Sequence, residues 1–97
     1  MNTKVVGTSF EGRQANLIGL EVGENLILKR DKENEYDPNA VQVCRKDGRQ
    51  IGFIKKEMAF MLGPAMDSGA TYSCKVTELT GLDQPNQGVN IEIEKVE

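Results

Sequence analysis

The chain has 97 residues, enough for one domain with a single modest core. Hydrophobic content of 38% with 28% charged residues argues against disorder, and a formal charge of −3 argues against coating nucleic acid by bulk electrostatics. With no histidine, two cysteines and no CxxC pair, zinc binding and Ser/His or Cys/His catalysis lack their residue types.

In chain order, period-two alternation of apolar residues dominates, as in half-buried strands. Residues 5–10 and 13–18 read as a hairpin about Glu11-Gly12. Residues 24–29 read as the next strand, with Leu26 and Leu28 inward. Val41 and Val43 alternate with Gln42 and Cys44, and Asp47-Gly48 signals a tight primed turn into a return strand carrying Ile51 and Phe53. In "KKEMAFMLGPAMDSG", Met58, Met61, Leu62, Ala65 and Met66 fall at helical spacing, and the methionines read as gap-filling core residues. Pro64 suits a first turn and not a helix interior. The spacing therefore predicts a short helix over 56–62, broken before a second turn near Pro64. Residues 70–77 put Tyr72, Cys74 and Val76 on one face, and Val89, Ile91 and Ile93 alternate in the last strand. About six to seven short strands with one broken helix predict a mainly β fold, a small OB-like or SH3-like barrel spanning the whole chain. Both cysteines are expected to be free, Cys74 as a small core hydrophobe.

No apolar run reaches the length of a membrane span, and "MNTKVVGTSF" lacks a signal-peptide stretch, so a cytoplasmic chain with no membrane partner is expected. No glycine motif for phosphate is present, and nothing singles out a carboxylate pair for acid–base work. The expectation is a binding module, with no catalytic residues, metal or cofactor.

"NEYDPNAVQV", residues 34–43, carries the most specific chemistry. Asp37-Pro38-Asn39-Ala40 has the residues of a tight turn, and on its own it reads as no more than that. Lys55 and Lys56 stand where the predicted helix begins. Lysines there oppose the helix dipole, which makes them odd for stability and sensible for holding a phosphate.

The elements "VVGTSFEGRQ", "GENLILKRDKENEYDPNAVQV", "GRQIGFIKKEMAFML" and "VTELTG" together resemble the HIRAN domain family over nearly the whole chain. The pairing of an N-x-YD-x-NA-[VI]-x-V block with a later [IV]-G-x-[IL]-x-[KR] block carries that resemblance. It implies an OB-like β-barrel that occurs alone in bacteria or attached to remodelling ATPases and other DNA-processing enzymes. The implied activity is capture of the 3′-hydroxyl end of single-stranded DNA in replication and repair. By the same resemblance Tyr36 and Asp37 fall at the end pocket, Lys56 on the phosphate, and Phe10 nearest the aromatic of the first turn. A stacking ring beside a carboxylate suits a free strand end: the ring takes the base, and the carboxylate accepts from a hydroxyl and repels a phosphate. Lys55 would join Lys56, and Arg30 or Arg13 would extend the phosphate path. The implied partners are single-stranded DNA 3′ ends and a DNA-processing ATPase or nuclease. The acidic charge and the lack of an aromatic in "GLDQPNQG" keep an alternative open, a protein–protein interaction module with little DNA affinity.

Overall fold

The computed structural model describes residues 1–96. One 6-stranded antiparallel sheet is built from β1 (Asn2–Lys4), β2 (Asn25–Arg30), β3 (Val41–Arg45), β4 (Gln50–Phe53), β5 (Thr71–Thr80) and β6 (Gly88–Val96). Their spatial order is β1-β6-β5-β2-β3-β4. A 3-10 helix (Arg13–Leu17) follows β1, and α1 (Lys56–Asp67) follows β4.

The sheet curls until its two edges meet. Just beyond β1, Val6 exchanges backbone hydrogen bonds with Phe53 of β4, 2.9 Å in each direction. Gly52 makes this seam possible, because a Cβ there would overlap the Val6 carbonyl oxygen and Val5 Cγ1. Register shifts at Val43/Cys44 and at Val76/Glu78 supply curvature, as bulges do. The expected mainly β barrel is therefore the fold.

Alternation fills its interior. Val41, Val43, Ile51, Val76, Val89, Ile91 and Ile93 are buried from the strands, and Leu17 and Leu62 close the ends from the two helices. Cys44 and Cys74 are free and buried, and burial pushes the Cys74 thiol up to about 12.

Three local expectations need correction. The first is the hairpin over 5–10 and 13–18. Glu11 and Gly12 do take positive φ, 55° and 75°, but the chain beyond them coils into the 3-10 helix. Side chains draw it in: Arg13 Nη1 donates to the Gly7 carbonyl at 2.8 Å, and Gln14 Nε2 donates to the carbonyls of Thr8 (3.0 Å) and Gln87 (3.1 Å). These bonds satisfy backbone that a strand partner would otherwise have paired.

The second correction is the primed turn at Asp47-Gly48. Of the two residues only Gly48 has positive φ, and the hairpin is the three-residue form, closed by the Arg45 N–H donating to the Arg49 carbonyl at 2.8 Å.

The third is the helix, which runs unbroken from Lys56 to Asp67 with Pro64 inside it. The residue before a proline is normally driven out of the helical region by a clash with its own Cβ. Here that residue is Gly63, which has none. Met61, expected inward, is exposed, because the buried face is centred on Ala59, Leu62 and Gly63.

Candidate functional site

The 31–40 loop joins β2 to β3. Its base is closed by the Asp31 N–H on the Ala40 carbonyl at 2.9 Å. Inside the loop, side chains take over the role of a backbone ladder. Asn34 Oδ1 accepts from the N–H groups of Tyr36 (2.9 Å) and Asp37 (3.0 Å), while its Nδ2 donates to Asp31 Oδ2 at 3.2 Å. Asp37 Oδ1 accepts from the Asn39 N–H at 2.9 Å, and the Asp37 carbonyl accepts from the Ala40 N–H at 3.1 Å.

Arg30 clamps the far side of the loop. Its Nη1 donates to the Ala40 carbonyl at 2.7 Å and its Nη2 to the Pro38 carbonyl at 3.1 Å. The same guanidinium reaches the Asp67 carboxylate with Nε at 3.0 Å and Nη2 at 3.1 Å, tying the loop to the end of α1. That hydrogen bond, with the charges of Arg30 and Lys32 behind it, holds the Asp67 carboxyl below the usual carboxylate range.

The turn opens onto a cleft of about 370 Å³. Tyr36, Asp37, Asn34 and Lys56 form its polar rim, and Val6, Ala40, Phe53 and Ile54 form an apolar floor. The floor lies on the barrel seam. Beneath it the Arg13 guanidinium lies 5.0 Å from the centre of the Phe53 ring, a cation–π contact. Tyr36 is 88% exposed, so its ring is free to meet a ligand. Asp37 Oδ1 is occupied by the turn, and Oδ2 has no protein partner among the described residues.

Lys56 is the first residue of α1, and no side chain caps that helix end. The Lys55 carbonyl accepts from the N–H groups of Met58 (3.1 Å) and Ala59 (2.9 Å). The partial positive charge of the helix start and the Lys56 ammonium therefore share one edge of the cleft.

Of the residues expected at the site, the structure brings Tyr36, Asp37 and Lys56 together. Lys55 stands just outside, at the helix N-cap. Phe10 is 66% exposed in the 7–12 turn and does not line the cleft. Arg30 is held by loop carbonyls and Asp67, and Arg13, 8% exposed, is held by Gly7 and Glu11. Both arginines shape the cleft from behind.

Sequence reasoning gave no role to Asn34 or to the floor residue Phe53. Asn34 had a readable signal, since an Asn side chain reaches amides two and three residues ahead. Phe53 had none, because only seam closure puts it under the cleft. A second cleft, among Glu24, Asn25, Arg45, Lys46, Asp47 and Arg49, carries no aromatic, and Arg45 is paired there with Glu24 at 2.9 Å. Among the described residues no group of three His, Cys, Asp or Glu could hold a metal ion, and no helix is long and apolar enough to cross a membrane.

Fold and cleft together define a small β-barrel module whose Tyr36 cleft is held in place by side-chain hydrogen bonds. The sequence matches the HIRAN domain family over residues 1–94, and the chain belongs to that family. It is 44% identical over 45 residues to the human helicase-like transcription factor, a stretch that is 46% of this chain and 4% of that protein. It is 33% identical over 67 residues to the Arabidopsis thaliana Fanconi-associated nuclease 1 homolog, 69% of this chain and 7% of that protein. The chain thus spans a small fraction of these relatives.

Among solved structures, a Lactobacillus plantarum protein superposes with a TM-score of 0.77 at 28% identity, covering 96% of this chain and 91% of that one. The crystal structure of the HIRAN domain of human HLTF superposes with a TM-score of 0.73, also at 28% identity, covering 96% and 73%.

Proposed function

We propose that the cleft captures the 3′-hydroxyl end of single-stranded DNA, and that the module is a non-catalytic end reader. One observation carries this reading: Tyr36, Asp37 and Lys56 line the same open cleft over an apolar floor. The terminal base stacks on Tyr36, a contact worth roughly 1–3 kcal/mol. Asp37 Oδ2 accepts a hydrogen bond from the 3′-hydroxyl, and a 3′-phosphate placed there would meet a carboxylate at close range. Lys56 and the helix start hold the adjoining phosphate. Lys55 and Phe10, outside the cleft, touch only more distant parts of the strand. Few phosphates are neutralised, which an acidic domain can tolerate, and the salt dependence is shallow.

The family relatives named as a helicase-like factor and a nuclease homolog support a role in DNA processing and repair. In that role this module delivers a strand end to an ATPase or nuclease. A protein-docking role has its own observation in favour, since Ile18 and Val22 are exposed in the loop before β2.

Fluorescence anisotropy on short labelled strands separates the two. End capture predicts tighter binding of a 3′-hydroxyl than of a 3′-phosphate, with the preference abolished in Asp37→Ala. Asp37→Asn keeps an acceptor for the Asn39 amide while removing the charge, so it relaxes the rejection of the phosphate. Absence of binding to either strand at low salt would sink the reading in favour of a protein partner.

A further inference from the structure

The helix that supplies Lys56 carries a second exposed aromatic. Lys56, Phe60, Gly63 and Asp67 follow one another at intervals of four, three and four residues, which places them within about 60° of one another around the helix axis. Three of the four lie toward the site loop. Lys56 lines the cleft. Gly63 passes so close to the loop that a Cβ would lie 2.8 Å from the Asn39 carbonyl oxygen. Asp67 holds Arg30, whose other bonds go to the carbonyls of Pro38 and Ala40. Phe60 occupies the remaining position of that stripe, between Lys56 and Gly63.

Phe60 is 73% exposed, an uncommon situation for a phenylalanine in the middle of a helix. Long side chains on a helix lean toward its N-terminus, so this ring covers the turn that begins with Lys56. It lies outside the cleft floor, one turn or about 6 Å further along the axis from the lysine.

We propose that Phe60 is a second stacking platform, which receives the base of the nucleotide next to the terminal one. The inference rests on the end-capture reading. With the terminal base on Tyr36 and the first internodal phosphate at Lys56, the chain leaves the cleft past the helix turn that Phe60 covers. Each base presents a π-face, so the platform is tolerant of sequence, and it extends the footprint by one nucleotide. The exposed pair Phe60 and Met61 gives the strand an apolar ledge on an outer helix face otherwise made of Lys56, Glu57, Pro64 and Asp67.

The test is a cycle between Phe60→Ala and a 3′-hydroxyl thymidine strand with an abasic residue at the penultimate position. Wild type is expected to bind the abasic strand roughly tenfold more weakly than the intact one, as for one lost stacking contact. Phe60→Ala is expected to bind both strands alike, at the wild-type affinity for the abasic one. It should keep its preference for 3′-hydroxyl over 3′-phosphate, and a 2-aminopurine at the penultimate position should lose its quenching. Phe60→Leu, apolar without a π-face, should behave like the alanine variant. If Phe60→Ala loses the same factor as wild type on the abasic strand, the platform is refuted while end selectivity stands, and the Phe60–Met61 ledge belongs to a protein partner. If wild type binds no strand, the end-capture reading falls and this inference falls with it.

Discussion

Two turns of this domain present an exposed aromatic, and only one presents it over a pocket. The 7–12 turn carrying Phe10 is closed by backbone bonds, Phe10 N–H to Gly7 at 3.3 Å and Arg13 N–H to Phe10 at 3.0 Å, and is tied down by Arg13 on the Gly7 carbonyl and by Thr8 on the Gln87 carbonyl. The 31–40 loop carrying Tyr36 is held by the side chains of Asn34, Asp37 and Arg30, anchored through Asp67 to a different element. Both turns are thus fixed, and they differ in what the ring faces: Phe10 lines no cleft, whereas Tyr36 stands at the rim of one. The contrast indicates what the proposed site requires: an aromatic whose backbone is fixed beside a cation and an apolar floor, here Lys56 and Phe53.

The largest expected effect comes from removing the clamp. Arg30→Ala takes the partner from the Pro38 carbonyl and one of two from the Ala40 carbonyl, and should destabilise the fold by about 2 kcal/mol, the scale of hydrogen bonds to a charged donor. Urea unfolding reads this directly. Binding of a 3′-hydroxyl strand should fall as well, although Arg30 does not line the cleft. Phe10→Ala should stay within about 0.5 kcal/mol of wild type, as an exposed residue outside any network does. Equal stability losses in the two variants would erase the distinction between the turns.

A second test turns on a sign. Gly→Ala inside a helix ordinarily stabilises by about 1 kcal/mol. At Gly63 the added Cβ would meet the Asn39 carbonyl oxygen at 2.8 Å and the Asn39 Cα at 3.3 Å, and both are backbone. Gly63→Ala should therefore destabilise, by about 1–2 kcal/mol, and loosen the Tyr36 turn with it. An increase in the urea midpoint would mean that the helix has room to retreat from the loop. The interlock between α1 and the site would then be weaker than the geometry implies.

Much of this architecture was legible in the sequence, for a physical reason. The inward stripes of β5 and β6 repeat every two residues, and burial imposes that pattern wherever one face is packed. The Tyr36-Asp37 turn was legible because its residues bond within a few positions of themselves. What failed depended on contacts remote in sequence. Residues 13–18 have strand-like alternation, yet Arg13 and Gln14 reach back to Gly7, Thr8 and Gln87, and the segment coils. Pro64 reads as a helix break until Gly63 before it is seen to remove the clash. Phe53 reads as an ordinary strand residue until the seam closes beside Val6.

The smallest expected effect is a pH dependence, and it bears on the same interlock. The Asp67 carboxyl is held below its ordinary value by the hydrogen bond from Arg30 and by the charges of Arg30 and Lys32. A carboxyl whose folded pKa lies below its unfolded one contributes stability above the unfolded value. That contribution is lost as pH falls through the folded value. The Arg30–Asp67 link should therefore be fully present at neutral pH and should weaken only below the ordinary carboxylate value. The comparison to make is wild type against Asp67→Asn, by urea unfolding at neutral pH and again well below that value. Wild type should be the more stable at neutral pH, and the two should converge in acid. Absence of a gap at neutral pH would assign the Arg30 clamp to its carbonyl partners alone. The loop would then be fixed from the β2 side, with α1 contributing packing at Gly63 and no electrostatic tether.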